Sequence, residues 1–257
     1  MISIALIGAF IAMVAFKRVR DENMMKELQA PADKGFAVVE LFTSEGCSSC
    51  PPADELIERI EKDNSNKQIY VMAFHVDYWD RLGWKDRFSD AEYSKRQSQY
   101  ANWLNLQTIY TPQIVVNGVS EYVGSNEYAV LGAIKSGLDA NPVNTLSLQP
   151  RIENGKLHVT HAGGGNGKDA TLVLALVQRS AQSNVRRGEN AGRMLSHVQI
   201  VRELAYANAG SGKEVVMRLP DDFNGNDWEL IGFVQQAADG RITAAARSGF
   251  QTAPLDK

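Results

Sequence analysis

Leu-Phe-Thr-Ser-Glu-Gly-Cys-Ser-Ser-Cys-Pro-Pro-Ala-Asp, residues 41–54, closes an apolar run at 36–42 and opens a helical pattern. Ala53, Leu56, Ile57 and Ile60 then share one helical face. The run at 36–42 suits a strand buried on both faces. The two cysteines of the chain, Cys47 and Cys50, therefore fall at a strand-to-helix junction. A helix N-terminus offers unpaired N–H groups and the positive end of a dipole, which stabilise a thiolate. Cys47, ahead of the helix and nearer solvent, is the expected nucleophile, and Cys50, one turn on, the resolving thiol. Pro51 and Pro52 fit the first helical turn, where no N–H partner is needed. Ser48 and Ser49 add hydroxyl donors at the edge of the pair, whereas Glu45 opposes a neighbouring thiolate.

Working outward, 68–75 is a second buried run, and a capping box at Ser89-x-x-Glu92 opens a helix carrying Tyr93, Tyr100 and Leu104. Residues 113–116 form a strand, Asn117-Gly118 is a hairpin signal, and 121–123 pairs back. Ser125 or Asn126 caps a third helix burying Val130, Leu131, Ile134 and Leu138, which Asn141-Pro142 ends. The order is β-α-β-α-β-β-α. Parallel strands end at one sheet edge, so His75, Asp77, Tyr78 and Trp79 converge on the cysteines, with Trp84 at the rim. Thr111-Pro112 begins the antiparallel third strand at that same edge. A cis bond there removes a donor and exposes the Thr111 backbone to an extended substrate. Asp77 is a candidate proton acceptor for the resolving thiol.

After Pro142 the texture changes. Short strand-like runs at 145–148, 156–160, 171–177, 214–219, 228–234 and 242–246 are separated by Asn-Gly and Asp-Gly turns. This is the pattern of a β-rich, sandwich-like region, with a boundary near Asn141. The expected organisation is a hydrophobic segment and linker at 1–34, an α/β domain at 35–141 and a β-rich domain at 142–257.

Residues 2–16 are almost wholly apolar and are followed by Lys17, Arg18 and Arg20. As a helix they span about 22 Å, less than the ~30 Å of a hydrocarbon core. A signal peptide, an uncleaved anchor and a helix docked on the protein itself are the three readings; residues 17–34 read as a linker. Any membrane contact is confined to 2–16, and the expected setting is extracytoplasmic, periplasmic or secreted.

The net charge of −3 argues against a nucleic-acid partner held by a broad basic surface. Two cysteines do not make a disulfide-dense scaffold, and with no second Cys pair they do not complete a zinc site. No cofactor is expected. Dithiol–disulfide exchange with protein or small-molecule thiols is the leading chemistry. A plain structural disulfide stays open, as does copper(I) held by Cys47, Cys50 and His75. His158, His161 and His197 read as strand or loop surface residues without a metal role. Arg186-Arg187-Gly188-Glu189-Asn190-Ala191-Gly192-Arg193 reads as a solvated loop, or as a contact with the α/β domain or an anionic group.

The topology, the C-x-x-C opening the first helix and the Thr-Pro before the third strand resemble the thioredoxin-like superfamily. More narrowly, residues 41–54, His-Val-Asp-Tyr-Trp-Asp (75–80), Tyr-Thr-Pro-Gln (110–113) and Arg-Gly-Glu-Asn-Ala-Gly-Arg (187–193) resemble an uncharacterised bacterial family, domain of unknown function number twelve-twenty-three. The resemblance runs from about Phe36 to the C-terminus. It implies a thioredoxin-like domain with an added β-rich region, in proteins often exported, and names no substrate. Gly46 stands where thioredoxins usually carry Trp, Ser48-Ser49 replaces Gly-Pro, and 77–88 is an insert; these departures count against a general reductase. The function expected is a thiol–disulfide oxidoreductase, with a copper(I) carrier or a non-catalytic adaptor as alternatives.

Overall fold

The computed structural model of the chain describes residues 2–28, 34–63, 65–142, 144–165, 169–210 and 212–250. Helix α1 (Ile2–Leu28) covers both the apolar N-terminal run and most of the stretch expected as a linker. The reason is local: Lys, Arg, Glu, Met and Leu dominate 17–28 and are strong helix formers, and Arg18 pairs with Glu22 one turn on at 3.1 Å. Its C-terminal end docks on the body, with Leu28 fully buried and Met24 and Met25 against the same core. Arg20 lies 4.0 Å from the centroid of the Tyr128 ring. Among the described residues no helix is long and apolar enough to cross a membrane. The segment at 29–33, the rest of the stretch expected as a linker up to Lys34, lies outside the described residues.

The expected β-α-β-α-β-β-α order is present: β1 (Ala37–Thr43), α2 (Pro51–Asp63), β2 (Ile69–His75), α3 (Ala91–Trp103), β3 (Gln113–Val116), β4 (Ser120–Val123) and α4 (Glu127–Asp139). Strand β1 pairs in parallel with β2 and antiparallel with β3, which pairs antiparallel with β4. Asn117 and Gly118 both take positive φ in the β3–β4 turn. The cap of α3 is Asp90 rather than Ser89: its side chain accepts from Glu92 N–H. Ser89 instead donates to Asp80 Oδ2 at 2.7 Å.

The β-rich region is not a separate sandwich. Strands β5 (Leu146–Glu153), β6 (Lys156–Gly163), β7 (Ala170–Asn184), β8 (Met194–Asn208), β9 (Val215–Arg218), β10 (Trp228–Gln236) and β11 (Ile242–Gly249) divide between two sheets. Four of them extend the first sheet into an eight-stranded mixed one, ordered β11-β10-β7-β8-β2-β1-β3-β4. The join is a parallel pairing of Ala73 in β2 with Ile200 in β8. Sandwich-like packing does occur where the three-stranded β5-β6-β9 sheet covers one face of β7 and β10, burying Leu157, Val159, Leu174 and Leu230 together.

Strand β8 has no counterpart among the sequence-predicted runs. It interrupts its alternation with a positive-φ Gln199 and a register shift opposite Leu176–Val177, so no period-2 pattern survives across its length. The apolar run of β1 also hides a charge. Glu40 is fully buried, and Arg96 of α3 binds it through two guanidinium nitrogens, at 2.5 Å and 2.9 Å.

Candidate functional site

Cys47 and Cys50 form a disulfide immediately before α2. Cys50 O accepts the N–H groups of Ala53 and Asp54, so Cys50 starts the helix and the two prolines occupy its first positions. Ser49 lies with its hydroxyl 3.5 Å from Cys47 Sγ, and Ser48 and Ser49 are both exposed. The cysteines are not: each is fully buried. The expected exposure of Cys47 therefore does not hold, and the distant loop at 185–193 lies against the backbone of the cysteine loop. Asn190 Nδ2 donates to Glu45 O and Cys47 O, both at 2.9 Å, while Glu189 Oε2 accepts from Ser48 N–H at 3.0 Å. Of the two readings for that loop, contact with the α/β region is the one observed.

The Thr111-Pro112 bond is cis. Gly124 N–H donates to Pro112 O at 2.9 Å. A Cβ on Gly124 would stand 3.0 Å from Pro112 Cβ and 2.8 Å from Ala53 Cβ, which sets the proline beside the first turn of α2. Trp79, on a 3-10 helix at Asp77–Leu82, links this loop to the cysteine loop. Its indole N–H donates to Thr111 Oγ1 at 2.8 Å, and a Cβ on Gly46 would come within 3.2 Å of Trp79 Cβ.

Behind the disulfide lies a buried ionisable cluster. His75 Nδ1 is 2.6 Å from Asp86 Oδ2, and the same carboxylate accepts Glu45 N–H at 2.8 Å. Glu45 Oε2 accepts the Trp84 indole N–H at 2.6 Å, and its Oε1 is 3.5 Å from His197 Nε2. The His75 and His197 rings meet edge to face at 4.9 Å. Burial works to raise the Asp86 carboxyl, but His75 and the N–H groups of Glu45 and Phe88 outweigh it and hold the group below its ordinary value. Burial likewise opposes Glu45 ionisation, and His197, Ser183 and Trp84 prevail. Asp54, one turn into α2, behaves oppositely. Burial pushes its carboxyl up to about 7, against His197 and the Thr43 hydroxyl. It faces a cleft of about 230 Å³ lined by Pro51, Asp54, Glu58, Arg193 and Met194.

The structure thus gathers Cys47, Cys50, Glu45, Ser48 and Ser49, with Thr111, Pro112 and Trp79 alongside and His75 reaching Glu45 through Asp86. Asp77 points elsewhere, bonded to the Ser94 hydroxyl of α3 at 2.5 Å, whereas the Tyr78 hydroxyl meets both Gln97 of α3, to which it donates at 3.2 Å, and the Thr111 side chain at the site. The buried acid nearest the resolving cysteine in sequence is Asp54, which replaces Asp77 as the candidate proton acceptor. His197 is buried in the cluster, not on the surface; His158, bonded to Glu214 at 2.8 Å, keeps the expected strand-surface place. Asn190, Asp86 and Asp54 were not singled out in the sequence. Asn190 sits in the 187–193 motif, which was the one signal pointing to it. Among the described residues no group of three or more His, Cys, Asp or Glu side chains is arranged to hold a metal ion, and in the disulfide the two sulfurs are bonded to each other.

The model of a family described as protein of unknown function (DUF1223) matches residues 38–235, a span holding both the disulfide and the loop that covers it. The chain belongs to that family. A crystal structure of a protein from Agrobacterium tumefaciens is similar at 26% identity and a TM-score of 0.61, covering 89% of this chain and 99% of that one. HBP35 of Porphyromonas gingivalis is similar in fold, with 15% identity, a TM-score of 0.61, and 89% and 79% of the two chains covered. No functionally curated protein matches the chain. The matched span includes both the loop at 185–193 and the cysteine pair, and the family description assigns no activity.

Proposed function

We propose that this DUF1223 chain is a thiol–disulfide oxidoreductase working through the Cys47–Cys50 pair outside the cytoplasm. The observation that carries the reading is a disulfide at a helix N-terminus with the cis Thr111-Pro112 loop beside the same helical turn. In the oxidising direction for substrate, a substrate thiolate attacks Cys47 Sγ. The S–S bond breaks and Cys50 leaves with the electron pair and takes up a proton. A second substrate thiolate then attacks the substrate sulfur of the mixed disulfide, and Cys47 leaves and is protonated. Two thiols have lost two electrons and two protons to the pair; the reverse runs from the reduced protein. Asp54 is the group suited to exchange the proton of Cys50, since its carboxyl titrates near neutrality. The only two cysteines being joined fits an oxidising compartment, with residues 2–16 as leader or anchor.

Two experiments test the reading. Cys50→Ser expressed in the native host should accumulate a mixed disulfide through Cys47; no trapped partner counts against an enzyme. Equilibration with glutathione buffers should give a potential of roughly −180 to −250 mV. The ionised Glu45 and Asp86 favour the negative end, because negative charge disfavours the thiolate. A value below about −300 mV would favour a second reading, a purely structural disulfide. The complete burial of both sulfurs is the observation on that side.

A further inference from the structure

We infer that the loop at 185–193, between β7 and β8, is a hinged lid that closes the disulfide, with Asn190 as its latch. The inference goes beyond the oxidoreductase reading and does not depend on a substrate being found.

The loop is exposed at Arg186 through Glu189 and again at Ala191 through Met194; Asn190 alone in that span is buried. Its amide is pre-aimed: Arg193 Nη1 donates to Asn190 Oδ1 at 2.9 Å, which turns Nδ2 onto the carbonyls of Glu45 and Cys47. Glu189 adds its bond to Ser48 N–H. These hydrogen bonds, with one between the Glu189 carboxylate and the Ser48 hydroxyl, join the tip to the cysteine loop. Gly188 and Gly192, at φ +77° and +82°, bracket the tip in the left-handed region, where glycine moves freely between conformations. The base of the loop is fixed separately, by Val185 N–H to Arg193 O and Gly192 N–H to Val185 O. A buried latch on an exposed tip, between two glycines and on a tied base, is the construction of a lid. Water can replace the hydrogen bonds of the tip, and its apolar neighbour is Trp84, whose Cβ would stand 3.3 Å from a Cβ on Gly188. In the closed state no sulfur is available to an attacking thiolate, so exchange must pass through the open one.

The test is the rate of Cys47–Cys50 reduction by dithiothreitol, and of reoxidation by oxidised dithiothreitol, in the full chain. Asn190→Ala should raise both rates about tenfold or more, because both bonds of the buried latch to the cysteine loop are lost. A gate speeds both directions alike, so the ratio of the two rates should stay within about threefold of the wild type. Asn190→Asp keeps the acceptor for Arg193 but sets a carboxylate oxygen against two carbonyls, and should open the lid equally. Glu189→Ala, at an exposed position, removes only the Ser48 contact and should give a smaller rise, about threefold. Rates unchanged within about twofold in the variants that fold would overturn the lid. So would acceleration of reduction alone, since that would mean Asn190 stabilises the oxidised pair without gating it. Acceleration by Asn190→Ala with no substrate trapped by Cys50→Ser would keep the lid and remove the enzyme.

Discussion

At Asp54 a single carboxyl ties the stability of the fold to pH with a sign opposite to that of Glu45 and Asp86. Its ordinary value of 3.8 is raised to about 7 in the folded chain because burial disfavours the charge. A group raised on folding contributes its stability in full below about pH 4, and loses it as the pH climbs through about 7. The loss across that window is on the order of 4 kcal/mol at most, from about three pKa units. Asp54→Asn removes the titration. Chemical denaturation should find it as stable as the wild type near pH 4 and more stable by a few kcal/mol near pH 8; equal stability at both pH values would refute the buried-acid assignment. If Asp54 also serves Cys50, the same variant slows exchange near neutrality while stabilising the fold. Glu45 and Asp86 act in the other direction: their values are lowered, so their contribution is present above the unfolded carboxyl range and fades as the pH falls through the folded values. At position 46, Gly46→Ala would press Trp79 at 3.2 Å and displace it from Thr111. The expected cost is about 1 kcal/mol, seen as a shift in the denaturation midpoint.

Among the elements, α3 is fastened to the sheet by charge. Arg96 is buried, bonded to Glu40 in β1, to the Tyr100 hydroxyl at 2.9 Å and to Gln235 in β10 at 3.2 Å. It also lies 5.2 Å from the Phe233 ring centroid. Removing the cation leaves Glu40 buried without its counter-charge, so Arg96→Ala should cost about 3–5 kcal/mol. Adding Glu40→Val should restore much of that, because a buried pair exchanged for apolar side chains is near neutral. A double variant no more stable than Arg96→Ala would show that the loss came from packing alone. Sequence periodicity could not expose this pair. Glu40 lies in a run of β-formers and Arg96 in a helix of mixed polarity, and only the closed tertiary structure says that they face each other. The helical faces of α2 and α4 were legible, since their apolar spacing answers to one buried side. So were Cys47, Cys50 and the cis proline, whose chemistry is local. Asn190 and His197 were not readable as site residues, because the site groups they touch, Glu45, Cys47, His75 and Phe88, are more than 100 residues away. Strand β8 escaped because its bulge breaks the alternation by which strands are recognised.

For the molecule as a whole, the decisive feature is the sheet that runs through the expected boundary at Asn141. Facing α3, one apolar cluster holds Val38, Phe42, Met72 and Phe74 from the first half with Val173, Val177, Val201 and Phe233 from the second. The site is divided the same way: its disulfide lies before residue 141, its covering Asn190 and buried His197 after it. A fragment ending at 141 would expose half of that cluster, the open edge of β2 and the side of the Glu40–Arg96 pair that Gln235 covers. We therefore expect residues 34–141 alone to aggregate or to bind a hydrophobic dye, and to melt without a cooperative transition. The full chain should unfold in one transition, with fluorescence and far-ultraviolet dichroism coinciding. The structural alternative is clear-cut. If the fragment gave a sharp transition and a dispersed amide spectrum, the β-rich half would be an appendage, and its loop could be removed without exposing the fold. A single transition that vanishes on truncation would instead mean that folding the second half and covering the disulfide are one event, so that only the completed molecule presents Cys47 and Cys50 in their buried state.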